Sequence, residues 1–133
     1  RQIFSTATTD AHDMDDRHMT CSYVMVHAPE LTREAILDAL RAGDFYSSRG
    51  VEITRIGRSG RTLDIQSTNG IRIEFIGANG RVLHTVNAPS GSFALPAAEP
   101  YIRAVVHGAG QAVAYTQAWF PAPETRAVVG QTR

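Results

Sequence analysis

Ile71-Arg72-Ile73-Glu74-Phe75-Ile76, then Gly77-Ala78-Asn79-Gly80, then Arg81-Val82-Leu83-His84-Thr85-Val86 is the stretch on which the fold turns. Successive side chains of a strand point to opposite faces, so a period of two assigns one face of each run to a core and the other to water. The Asn-Gly pair between the runs accepts the left-handed backbone that a tight hairpin needs. Two short antiparallel strands are the reading.

The pattern extends in both directions. Residues 51–56, 62–66, 92–95, 101–106 and 112–116 show strand-like runs, separated by Ser59-Gly60, Asn69-Gly70, Ser90-Gly91 and Gly108-Ala109-Gly110. Each of these turns reads as a hairpin, and the strands share no recurring sequence beyond alternation, so this is not a repeat protein. Seven short strands with such punctuation predict a seven-stranded antiparallel β-sandwich of immunoglobulin-like proportions over 51–120, with a small closed barrel as the runner-up. Residues 121–133 carry two prolines and no sustained period and read as a tail.

Upstream the period becomes helical. In Leu31-Thr32-Arg33-Glu34-Ala35-Ile36-Leu37-Asp38-Ala39-Leu40-Arg41-Ala42-Gly43, Thr32 suits the N-cap, Glu34 the positive first turn and Gly43 a left-handed stop. Leu31 and Ile36 occupy the positions of a hydrophobic staple. Ile36, Leu37 and Leu40 form one apolar stripe, and a helix over 33–42 is too short to stand alone, so the stripe is expected to be buried. Tyr23-Val24-Met25-Val26 is a short β-type run ended by Pro29, and the polar residues before it read as loop. The fold class is therefore mainly β with one helix (α+β).

Composition excludes several functions. The chain has 133 residues, 43% of them hydrophobic, enough for one core. Thirteen basic residues balance thirteen acidic ones without a basic run, so neither nucleic acid nor an anionic membrane is expected as a partner. Cys21 is the single cysteine, which rules out an intrachain disulfide and a cysteine-based zinc site, and it reads as a small inert thiol. No apolar run approaches the ~20 residues of a spanning helix. Because the chain opens on Arg1 rather than methionine, further sequence upstream is expected, and the compartment is left open.

One constellation carries chemistry: Thr9-Asp10-Ala11-His12-Asp13. A carboxylate and an imidazole two residues apart in a loop can reach one divalent cation from the same side. The bland alternative is a solvated acidic loop. Asp13, Asp15 and Asp16 lack the glycine and closing glutamate of a calcium loop. His18, His27, His84 and His107 are scattered, Ser47 and Ser48 have no nucleophile elbow, and Tyr46, Phe75, Tyr101, Tyr115 and Trp119 read as core and edge aromatics.

From Ala28 to Gly50 the sequence resembles the C-terminal part of PHP-family proteins, the polymerase and histidinol phosphatase group of metal-dependent phosphoesterases. The residues that carry the resemblance are Leu31-Thr32, Ala35-Ile36-Leu37, Ala39-Leu40-Arg41-Ala42-Gly43 and Phe45-Tyr46-Ser47-Ser48, downstream of Asp10-Ala11-His12 in the family's order. The resemblance implies that residues 1–50 are the end of a catalytic barrel and that Asp10 and His12 are metal ligands. It also implies that the remaining ligands, a His-x-His motif among them, lie in a barrel portion upstream. The intact site would hold zinc, manganese or iron, which activates water and clamps a phosphate ester. Arg49 replaces the family's usual threonine, and a Gly-Trp pair expected near Cys21 to Tyr23 is missing. Two ligands cannot build a multi-metal cage, so this chain alone is expected to be inactive, with no catalytic residue assigned. The expected partners are the missing barrel portion or a second copy in a homodimer. A β-sandwich binding or assembly module with a vestigial Asp-x-His loop is the alternative.

Overall fold

The computed structural model describes residues 2–9 and 21–123. Within them run β1 (Tyr23–Val26), α1 (Arg33–Ala42), β2 (Phe45–Arg49), β3 (Ile53–Ser59), β4 (Thr62–Ser67), β5 (Arg72–Ile76), β6 (Val82–Val86), β7 (Ser90–Ala94), β8 (Arg103–His107) and β9 (Val113–Thr116). The strands pair antiparallel in two open sheets, a six-stranded one ordered β1-β2-β9-β8-β5-β6 and a three-stranded one ordered β3-β4-β7. Neither sheet closes, which sets the barrel aside. All seven strands expected from alternation are present, and the described residues hold nine because β1 and β2 join at the front.

The period of two does what it predicts. On β4, Leu63 and Ile65 are buried while Gln66 is exposed, and on β5, Ile73 and Phe75 are buried while Arg72 is exposed. These side chains meet Ala104, Val106 and Ala114 between the sheets in one apolar cluster. At roughly 25 cal/mol per Å² of apolar surface, this burial is the main term holding the sheets together.

β2 escaped the pattern for a physical reason. Phe45, Tyr46, Ser47 and Ser48 are all buried because the strand is covered on both faces, and a strand covered twice loses its alternation. Its hydroxyls are satisfied locally: Ser47 Oγ donates to Ser5 O at 3.1 Å and Ser48 Oγ to Val51 O at 2.6 Å. β2 pairs with β1 on one side and β9 on the other, so strands from both sides of the expected 50/51 division share one sheet.

Two of the expected hairpins are crossings. Asn79-Gly80 does join neighbours, with φ of 58° and 71° at the two central residues, and Ser59-Gly60 and Gly108-Ala109-Gly110 also close hairpins. Asn69-Gly70 instead carries the chain from the small sheet to the large one. There Asn69 Oδ1 accepts from Glu52 N at 2.9 Å and its Nδ2 donates to Gly50 O at 2.8 Å. Ser90-Gly91 lies inside β7, and the change of sheet falls just before it, at residues 87–89.

The helix follows its capping signals. Thr32 Oγ1 accepts from Ala35 N at 3.3 Å, and at the other end Asp44 N reaches Ala39 O at 2.9 Å while Gly43 N reaches Leu40 O at 3.3 Å. That double bond pattern around a left-handed residue is a Schellman stop, and Gly43 supplies it at φ 78°. The staple does not form: Leu31 is 94% exposed. Ala39 is buried, but Ile36, Leu37 and Leu40 are only half-buried, so the apolar stripe is incompletely covered.

Candidate functional site

Asp10 and His12 lie outside the described residues, as do Asp13, Asp15, Asp16 and His18. The residues on either side of them, 2–9 and 21–26, are described. On the incoming side Ser5 N donates to Gln117 Oε1 at 2.9 Å and Gln117 Nε2 donates to Ser5 O at 2.8 Å, so one side-chain amide imitates a strand pairing. Gln117 is 4% exposed, and Phe4 packs edge-on against Phe45 with its ring where a Cβ on Gly43 would fall. On the outgoing side Tyr23 pairs with Ser48. Ser5 is thus held at Ser47 and Tyr23 at Ser48, so both flanks converge on adjacent residues of β2. Sequence reading offered no signal for Gln117, because its partner is 112 residues away.

A second feature arises from the unequal sheets. β1 overhangs the edge of the small sheet, leaving a cleft of about 410 Å³ lined by Met25, His27, Asp44 and Tyr46 above and by Ile53 to Ile56 and Arg58 below. Tyr46 forms its inner wall. Its hydroxyl accepts a hydrogen bond from Ile53 N at 3.0 Å, and burial raises its pKa above the ordinary phenol value.

The sign of that shift makes a prediction. A phenol whose folded pKa lies above its unfolded value favours the folded state at low pH and loses that contribution as pH rises from the unfolded value, about 10, through the folded one. Wild type is therefore expected to lose stability above about pH 10. Tyr46→Phe should cost about 1–2 kcal/mol at neutral pH by orphaning the Ile53 amide, and should flatten part of the alkaline decline. Urea midpoints at neutral and alkaline pH check both, and an unchanged alkaline slope in the variant would count against this assignment.

The other histidines are engaged elsewhere. His107 Nε2 lies 2.7 Å from Glu74 Oε2 on the neighbouring strand, and His84 stacks on Phe93 with ring centroids 5.1 Å apart. Among the described residues no group of three histidine, cysteine, aspartate or glutamate side chains converges as a metal cage. Cys21 is half-buried and outside any disulfide. No protein-family model, characterised protein or solved structure matches the chain.

Proposed function

We propose that this chain is the C-terminal part of a PHP-family metal-dependent phosphoesterase, with Asp10 and His12 as two ligands of its cation site and an immunoglobulin-like sandwich appended behind them. The observation that carries this reading is the convergence of both flanks of the Asp-x-His loop on Ser47 and Ser48. Those serines belong to the Phe45-Tyr46-Ser47-Ser48 run that bears the family resemblance, so the stretch downstream of the ligand triplet fastens the triplet's own loop. A loop tied at both ends loses less freedom when its carboxylate and imidazole close on a cation.

When bound, zinc, manganese or iron would lower the pKa of a coordinated water and polarise a phosphate ester. Asp10 would contribute charge and His12 a neutral nitrogen. Two protein donors fall short of the three that even a single catalytic zinc site ordinarily uses, so the 133-residue chain is expected to bind metal weakly and to show no steady phosphodiester turnover. The decisive measurement is metal content after exposure to zinc or manganese, by elemental analysis of the protein and of Asp10→Ala and His12→Ala. Loss of metal in both variants supports the site; a parent that retains no metal, or variants that bind as well as the parent, would remove it.

The second reading, a β-sandwich that binds or assembles, draws on the overhanging β1 strand and the cleft beneath it.

A further inference from the structure

We propose that β1 is the docking strand for a second copy of this chain, the two β1 strands pairing antiparallel about a two-fold axis at Met25. This interface does not depend on the metal reading. The bond from His27 N to Asp44 O, at 2.8 Å, fixes which residues of β1 exchange hydrogen bonds with β2. Alternation then directs the amides and carbonyls of Tyr23 and Met25 at β2 and those of Val24 and Val26 at the open side. Among the described residues nothing pairs with these four outward groups.

An unpaired edge invites another strand unless it is charged, bulged, interrupted by proline or covered. β3, the edge on the same side of the sandwich, carries Arg55 and Arg58 and a register break between Ile53 and Arg55. β1 reads Tyr-Val-Met-Val, with no charge, proline or register break and, among the described residues, no strand on its open side, and leaves Tyr23 36% and Met25 45% exposed.

The strand's own sequence selects the occupant. Antiparallel pairing about Met25 sets Val24 of one copy against Val26 of the other in a hydrogen-bonded pair. It sets Met25 against Met25 and Tyr23 against His27, so no like charges oppose one another. The same axis sets the two copies of α1 on one face of the extended sheet. α1 touches β1, yet none of its residues lines the cleft, so it lies on the opposite face of the strand. A strand pair of this length buries far less than the ~1,200–2,000 Å² of a stable interface, so the dimer is a weak one.

Sedimentation velocity of the full chain from low micromolar to near-millimolar concentration tests this. Wild type should move from monomer to dimer across that range. Val24→Pro removes an outward amide that β2 does not use, and Met25→Lys sets two ammonium groups against each other at the axis. Each should weaken association about tenfold or more. Circular dichroism shows whether each variant keeps its strands; should the proline variant fail to fold, the exposed lysine substitution decides alone. A chain that stays monomeric throughout, or a dimer that neither folded variant weakens, overturns the proposal.

Discussion

Phe75→Ala is expected to cost about 3–5 kcal/mol, the range for deleting a large aromatic side chain from a packed core. Phe75 is fully buried on β5, where it faces Ala104 across the ladder and packs against Phe93 of the small sheet with ring centroids 5.7 Å apart. It therefore spans both sheets. Its neighbours stand on hydrogen-bonded strands and cannot move in to fill the void, and Ala104 is too small to reach across it, so most of the cavity should persist. For a domain with about 5–15 kcal/mol of total stability, such a loss leaves a marginal fold. Urea denaturation would show the midpoint falling steeply with the slope retained. Phe75→Leu keeps most of the volume and should cost far less. A loss under about 1 kcal/mol for the alanine variant would mean that the two sheets do not share this core.

The residues that made the fold legible are those with one wet and one dry face. Leu63, Ile65, Ile73 and Phe75 each sit two positions from another apolar side chain, and a strand with a single buried face cannot hide that spacing. β2 has no wet face over Phe45 to Ser48, so it left no periodic trace and was not read as a strand. Turn residues told where the chain bends but not which sheet it enters next. Asn69-Gly70 has hairpin chemistry, yet Asn69 spends its amide on Gly50 and Glu52 to steer a crossing. Sheet membership is set by contacts far apart in sequence, to which local spacing is blind.

The Asp10-Ala11-His12 triplet was readable as a motif, whereas the anchoring of the segment before it was not, and that anchoring can be removed without touching either residue. Gln117→Ala is expected to cost about 2–4 kcal/mol, from three hydrogen bonds lost to Ser5 and a nearly buried site left with polar groups short of partners. The damage should be local before it is global. Residues 2–9 are held by this amide, by Ser47 Oγ and by the packing of Phe4, so with the amide gone the Ser5 N–H should exchange with solvent far faster while amides of β4 and β5 keep their protection. Gln117→Glu separates the accepted bonds from the donated one, because a carboxylate still accepts from Ser5 N and Oγ but can no longer donate to Ser5 O and faces that carbonyl as an unpaired buried charge. It should therefore be no milder than alanine. On the proposed reading, any metal affinity of the parent chain should fall in both variants although Asp10 and His12 are untouched, since ordering them around a cation from a released flank costs more entropy. Unchanged exchange at Ser5 in Gln117→Ala would mean that Phe4, Ser47 and the bond from Gln2 to Ala118 suffice to hold the segment. The glutamine would then be a packing residue with no hold on the loop.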